Sequence, residues 1–156
     1  MDDREKYPVR KRIRLENFDY ASPNYYFVTI CTHDKKCILG KPGTLNTLGK
    51  IARDALLNIP QHFPHAIIDK YVVMPNHIHA IIVLRGEGIS LSHILGQYKS
   101  HVTRQIRHIH PGTDVWQRSF HDRIIRNQKE YEAYWLYIDA KPINWEKDEH
   151  FQIFPE

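Results

Sequence analysis

The sequence predicts an α+β domain with an antiparallel central sheet and helices packed on it. A length of 156 residues suits one domain with a sizeable core. Short segments rich in β-branched and aromatic residues alternate with longer segments in which apolar residues recur at helical spacing. The resulting order is β, α, β, β, α, β, α, which is typical of that class.

The first half of the chain predicts three strands and a helix. Residues 25–32 (YYFVTICT) are β-branched and aromatic and predict the first strand. Apolar residues recur at intervals of three and four within residues 45–59, which predicts a helix that Pro60 should end. Residues 66–74 and 77–84 predict two more strands, separated by a tight break at a Pro-Asn pair.

The second half predicts a long helix, a short strand and a last helix. Ser90 follows a Gly-containing loop and is expected to cap a helix over residues 91–109, which a Pro-Gly pair should end. A short strand is predicted within residues 118–126. The apolar residues of 131–138 predict the last helix, which should stop near Lys141 because proline disfavours helical geometry in the residue before it.

Composition excludes several classes of protein. Apolar residues make up 42% and charged residues 26%, and no apolar run is long enough to cross a membrane. Lys and Arg total 22 against 18 acidic residues, a mild excess that is compatible with an anionic partner. Cys31 and Cys37 are too few for a disulfide framework and are interpreted as reduced thiols. The protein is expected to be cytoplasmic.

The N-terminal residues 1–14 carry many basic side chains and little that could pack. We interpret them as a flexible basic arm, while charge alone equally allows a solvated tail. They lack the apolar segment of a secretory signal. No repeat or linker divides residues 15–156, which are predicted to form a single domain. The basic residues of the arm are Arg4, Lys6, Arg10, Lys11, Arg12 and Arg14.

His77-Ile78-His79 is the sharpest candidate for chemistry. Residues two apart on a strand point to the same face with Cα atoms roughly 6.5 to 7 Å apart. Two such imidazoles can converge on one metal ion, at bond lengths of about 2.1 Å. The alternative is a pair of partly exposed histidines at a strand start. A metal held by two protein ligands would be open and catalytic, and would need a third ligand and usually a nucleophile.

The last helix offers candidates for those roles. Tyr137 lies at the margin of its buried face, where a phenol can point into a cleft. A tyrosine with this placement is more often a packing residue with its hydroxyl at the surface. The candidate residues follow one another at intervals of four, three and four residues along the helix: Glu130, Tyr134, Tyr137 and Lys141.

Ordered motifs through nearly the whole chain resemble the IS200/IS605-type transposases. More closely, they resemble the REP-associated tyrosine transposases, which belong to the HUH single-stranded-DNA nucleases. YVVMPNHIHAIIV (71–83) is the most specific stretch, because its HIH is the His-hydrophobic-His signature. The other matching motifs are IRLENFDY (13–20), YYFVTICT (25–32), LGQYKSHVTRQI (95–106), VWQRSFHDRIIRN (115–127) and YIDAKPINW (137–145).

The resemblance implies a ferredoxin-like or RRM-like core and a specific chemistry. His77 and His79 would bind a divalent cation, Mg²⁺ or Mn²⁺, which would orient and polarise the scissile phosphate. Tyr137 would attack phosphorus to form a 5′-phosphotyrosine link and a free 3′-OH. Because one phosphodiester is exchanged for another, strands could be rejoined without ATP.

Lys141 departs from the pattern. The family shows Asn before Pro at this position, and by resemblance that Asn is a third metal ligand. A protonated lysine has no lone pair to donate and would repel a cation. Lys141 therefore either weakens metal binding or uses its ammonium, one helical turn from Tyr137, for part of the metal's work. We favour weakened metal affinity.

By the same resemblance, the arm and the basic outer side of the helix over 91–109 would hold a DNA hairpin. A solvated helix face is the alternative for these side chains. The expected phosphate contacts are Arg10, Lys11, Arg12, Arg14, Lys99, Arg104 and Arg107.

The sequence therefore predicts a metal-dependent tyrosine transposase that cleaves and rejoins single-stranded DNA at or near hairpins. A catalytically degenerate hairpin-DNA-binding protein is the main alternative. A metal hydrolase of unrelated substrate has only the two histidines in its favour. A bacterial, nucleoid-associated location is expected, and both a monomer and a homodimer are compatible with the sequence.

Overall fold

The computed structural model describes residues 24–86 and 88–148. The strands are β1 (Asn24–Cys31), β2 (Gly40–Lys41), β3 (Thr44–Leu45), β4 (Ala66–Val73), β5 (His77–Leu84) and β6 (His121–Ile125). The α-helices are α1 (Thr47–Leu57), α2 (Ile59–His62), α3 (Leu91–Ile109) and α4 (Gln128–Ala140). Short 3₁₀ turns are found at His33–Lys35 and Trp145–Lys147.

The core of the fold is a four-stranded antiparallel sheet in the order β4-β5-β1-β6. The two central strands, β1 and β5, are separated in sequence by α1, α2 and β4, which is the split β-α-β arrangement of ferredoxin-like folds. The predicted class, an α+β domain with an antiparallel sheet flanked by helices, is confirmed. Within the described residues, no helix is long and apolar enough to cross a membrane.

The two faces of the sheet carry different layers. Because side chains alternate along a strand, Tyr26, Val28 and Ile30 of β1 pack into the main core with α1 and α3. Phe27 of β1 and Ile81 of β5 point to the other face and pack with α4. Every residue of β5 is buried, since helices cover this central strand on both sides.

The helix starts follow their capping residues. Asn46, Ser90 and Asn127 each accept a hydrogen bond from the backbone N–H three residues on, at the starts of α1, α3 and α4. The predicted cap at Ser90 is therefore confirmed. All three predicted helices and all four predicted strands are present.

The predicted helix over residues 45–59 is wrong at both ends. Its first residue belongs to the β2–β3 hairpin, and α1 ends at Leu57. Pro60 does not stop α1 but lies in the first turn of α2, where its missing N–H needs no partner. The hairpin depends on Gly40, whose φ of +123° favours glycine. There is also no room for a side chain at this position, because a Cβ atom would lie 2.6 Å from the Thr44 carbonyl oxygen.

Helix α4 packs on the sheet through one fully buried aliphatic side chain and several half-buried aromatic ones. Ile138 is the only residue that α4 buries completely, and it packs beneath Phe27 and Ile81. Replacing Ile138 with alanine should lower the free energy of unfolding by about 2 to 5 kcal/mol, because the substitution removes buried apolar contacts and leaves a cavity. Leu136→Ala is the matched control, since that side chain is 63% exposed and its loss should change stability by less than about 0.5 kcal/mol. Urea unfolding measures both, and equal effects would contradict this account of how α4 is held.

Candidate active site

The register of β5 places the two histidines of HIH side by side beneath α4. His77 pairs with Cys31 and His79 with Thr29, on the face that Phe27 also occupies. The two ring centroids lie 4.8 Å apart, and the side chains are 0% and 2% exposed. They are therefore buried at the sheet–helix interface, unlike the partly exposed pair of the alternative interpretation.

Polar neighbours orient both imidazoles. The Asn76 amide oxygen lies 2.9 Å from His77 Nδ1, and the Thr29 hydroxyl lies 3.0 Å from His79 Nδ1. Because an amide oxygen can only accept, His77 Nδ1 must carry the proton in that hydrogen bond. In the neutral ring, His77 Nε2 then carries the lone pair, as a metal ligand or a hydrogen-bond acceptor requires.

Tyr137 lies next to this pair at the mouth of a cleft. Its ring centroid is 5.4 Å from that of His79 and 6.0 Å from that of Phe27, and the residue is 41% exposed. The cleft has a volume of about 620 Å³, and both Tyr137 and His79 line it. This is the marginal position that the helical spacing predicts, with the phenol open to an incoming molecule.

Lys141 is buried beside the phenol. The residue keeps helical φ/ψ at the end of α4, so that it lies one turn from Tyr137. Its Nζ donates a hydrogen bond to the Tyr137 hydroxyl at 3.2 Å. The same ammonium forms an ion pair with Asp148, and each side chain is at most 5% exposed. The contact with Tyr137 is the geometry that the second interpretation of Lys141 requires.

Asp148 completes the cluster, and the sequence offered no signal for it. Its Oδ2 lies 3.7 Å from His77 Nε2, so the carboxylate lies between His77 and Lys141. The turn at Trp145–Lys147 brings this carboxylate back to the sheet, and the Trp145 ring stacks over His77 with centroids 6.3 Å apart. A chain of contacts therefore runs from Tyr137 through Lys141 and Asp148 to His77.

The donor set does not fit a tightly held divalent cation. Among the described residues, no three His, Cys, Asp or Glu side chains are arranged to hold a metal ion. His77 and His79 supply two nitrogen donors, but the third position carries an ammonium, which cannot ligate and repels a cation. The carboxylate that could have served as a ligand is paired with that ammonium.

Comparison with known proteins identifies the family. A family model described as "Transposase IS200 like" matches residues 21–141, which is most of the chain. This chain belongs to the IS200-like transposase family. An uncharacterized protein of Haemophilus influenzae is 34% identical to this transposase over 165 residues, which cover 90% of this chain and 92% of the relative.

Two solved structures share the fold of this transposase. One is a REP-associated tyrosine transposase bound to a REP hairpin, with a TM-score of 0.60 and 24% identity over 83% of this chain and 73% of that one. The other is a transposase candidate from Deinococcus radiodurans, with a TM-score of 0.57 and 14% identity over 81% of this chain and 96% of that one. At these identities the likeness concerns the fold alone.

The three basic residues of α3 that were expected to contact DNA do not line the tyrosine cleft of this transposase. Lys99, Arg104 and Arg107 line a separate groove of about 560 Å³ between α3 and the loop before β6. Helix α3 packs on the sheet face opposite α4, so this groove and the histidine pair lie on different sides of the sheet. The predicted arm, with Arg10, Lys11, Arg12 and Arg14, lies outside the described residues.

Two of these cations also hold the loop before β6 in place. Lys99 Nζ donates to the carbonyl oxygens of Gln117 and Ser119 at 2.8 and 2.7 Å. Arg107 Nε donates to the Thr113 carbonyl oxygen at 2.8 Å. Partial burial lowers the pKa of Lys99. Lys99 and Arg107 therefore shape the wall of this groove, while Arg104 and Arg107 are exposed to solvent.

Proposed function

We propose that this transposase cleaves and rejoins single-stranded DNA next to hairpins, with Tyr137 as its nucleophile. Family membership supports a DNA-processing enzyme. The observation that carries the proposal is the accessible Tyr137 hydroxyl, which accepts a hydrogen bond from a buried ammonium at the mouth of the cleft that also contains His79.

The chemistry is a phosphoryl transfer in two reversible steps. The Tyr137 hydroxyl gives up its proton, its oxygen forms a bond to phosphorus as the bond from phosphorus to the 3′ oxygen breaks, and the 3′ oxygen takes up a proton in return. This gives a 5′-phosphotyrosine link and a free 3′-OH, and the reverse step joins strands without ATP. The Lys141 Nζ donates a hydrogen bond to the Tyr137 oxygen at 3.2 Å and so holds the nucleophilic atom in place at the cleft.

Metal binding at His77 and His79 stays a prediction from the family resemblance. We propose that Mg²⁺ or Mn²⁺ binds there only weakly, because the Lys141 ammonium lies beside both the Asp148 carboxylate and the Tyr137 oxygen.

The DNA partner is proposed to be a hairpin with single-stranded flanks. The solved transposase of the same fold is bound to a REP hairpin, which supports this class of ligand. The groove of Lys99, Arg104 and Arg107 would contact hairpin phosphates, together with the arm. Such contacts make the affinity depend on salt and carry little sequence information.

A labelling experiment tests the proposed reaction. Hairpin oligonucleotides with randomised flanks, labelled at either the 5′ or the 3′ end, are incubated with the protein in Mn²⁺, in Mg²⁺ and in EDTA. We expect denaturing gels to show a covalent protein adduct that carries only the 3′ label, while the released fragment carries the 5′ label. An adduct with the opposite label, or cleavage without any adduct, would contradict a 5′-phosphotyrosine mechanism.

A non-catalytic hairpin-binding protein is the second candidate. The buried ion pair of Lys141 with Asp148, at the position of the expected third metal ligand, favours it. Hairpin binding without an adduct, from both the wild-type protein and Lys141→Asn in either metal, would select this candidate.

A further inference from the structure

We propose that the cleft beside Tyr137 contains a phosphate-binding subsite for the single strand, formed by Lys35 and Arg123 with His121 at its edge. The proposal rests on the proposed function and names the part of the DNA that this cleft holds. These three residues line the same cleft as His79 and Tyr137. They are distinct from the basic residues of the α3 groove, which lies on the other side of the sheet.

Strand register turns the β6 side chains toward the nucleophile. Arg123 pairs with Phe27, and His121 pairs with Thr29. Directly paired residues of antiparallel strands point to the same face, and Phe27 packs on the α4 side. Arg123 and His121 therefore face the cleft. Asp122, between them, also lines the cleft, but it pairs with Val28 of the main core, so strand alternation turns its side chain toward the opposite face.

Lys35 reaches the cleft from a strained turn. Asp34 and Lys35 both have φ of +53°, in the left-handed region that non-glycine residues rarely adopt. Such backbone strain is costly for a non-glycine residue, and it concentrates at functional sites. The buried Asn76 holds this turn, since its Nδ2 donates to the Lys35 carbonyl oxygen at 3.1 Å. The same amide contacts His77 through its oxygen, which ties the position of Lys35 to the histidine pair.

The combined chemistry matches a single-stranded nucleic acid. An arginine and a lysine supply positive charge for a phosphodiester, and the arginine can bind it through two parallel hydrogen bonds. Aromatic rings line the same cleft, because Tyr134 stacks on Phe27 with centroids 4.4 Å apart and both residues belong to the lining. A cationic groove beside aromatic rings is the arrangement with which proteins bind single strands.

Salt dependence of binding tests the subsite directly. Affinity for an unstructured oligothymidylate is measured by fluorescence anisotropy at several salt concentrations with the full chain. Arg123→Gln and Lys35→Asn should each reduce the slope of log K against log salt by about 0.7, the value for one phosphate contact on a single strand. Asparagine is chosen at position 35 because it tolerates the left-handed conformation.

Neighbouring cations serve as matched controls. Lys36→Gln and Arg126→Gln remove the same charge from exposed residues that do not line the cleft, and both should keep the wild-type slope. Slopes for Arg123→Gln and Lys35→Asn equal to those of the controls would overturn the proposal.

A second measurement uses the wild-type protein and does not depend on the folding of any variant. Single phosphates of the oligonucleotide are replaced one at a time by neutral methylphosphonates. We expect one or two adjacent positions to lose affinity, and uniform affinity along the strand would overturn the subsite.

The subsite and the tyrosine mechanism can fail separately. If Arg123→Gln and Lys35→Asn reduce the salt slope but the protein forms no covalent adduct, the subsite is supported and the nuclease is rejected. If an adduct forms and the two slopes stay at the wild-type value, the nuclease is supported and the subsite is rejected.

Discussion

Tyr137→Phe is expected to abolish the covalent protein–DNA adduct and to lower strand cleavage by at least about four orders of magnitude, as loss of a nucleophile does in other enzymes. The phenyl ring has no oxygen to bond phosphorus, while its edge contacts with Phe27 and His79 are retained. DNA affinity should therefore change little. Denaturing gels measure the adduct, and fluorescence anisotropy measures the affinity.

A second tyrosine provides the matched control for this prediction. Tyr134 lies on the same helix as Tyr137 and lines the same cleft. Its ring stacks on Phe27 with centroids 4.4 Å apart, whereas the hydrogen bond from the Lys141 ammonium goes to the hydroxyl of Tyr137. Tyr134→Phe should keep the adduct. If instead the adduct persisted in Tyr137→Phe and disappeared in Tyr134→Phe, the nucleophile would have been assigned to the wrong residue.

Lys141→Asn is expected to increase the affinity for Mn²⁺ by about ten- to a hundredfold, through removal of a charge that repels the ion a few ångströms away. The substitution also introduces an oxygen donor and separates Asp148 from its cationic partner. Calorimetric titration measures the affinity, and His79→Ala in the same background should remove the gain if the ion binds at the histidine pair.

The same substitution makes a prediction for stability. Loss of the ammonium leaves the Asp148 carboxylate, which is 1% exposed, without its ion-pair partner. In EDTA the free energy of unfolding should fall by up to about 3 to 5 kcal/mol, and Mn²⁺ should restore part of it. Lys147→Asn, at an exposed lysine of the adjacent turn, is the control and should change neither quantity.

The metal titration decides between the two interpretations of Lys141. A gain in Mn²⁺ affinity, with a stronger adduct, would support weakened metal binding in the natural sequence. No gain in either would count against that interpretation. It would favour the alternative in which the Lys141 ammonium, already 3.2 Å from the Tyr137 oxygen, takes over part of the ion's work.

The sequence by itself determined the elements of the fold and the face that each candidate residue occupies. A strand alternates with a period of two, so His77 and His79 had to share a face wherever β5 lay in the sheet. A helix returns to the same side after four residues, so Tyr137 and Lys141 had to be neighbours. The Ser90 cap was likewise readable from the sequence, because it depends on bonds within one turn.

Only the tertiary structure decided which of these faces meet. Asp148 reaches His77 and Lys141 through a turn that shows no periodic signal. Arg123 faces the tyrosine cleft because β6 pairs with β1 in one register, and a slip by one residue would have turned Asp122 there instead. The basic face of α3 lies on the far side of the sheet from Tyr137 because α3 and α4 pack on opposite faces of the sheet. Contacts between elements distant in sequence follow from strand pairing and helix packing, which the local spacing of residues does not encode.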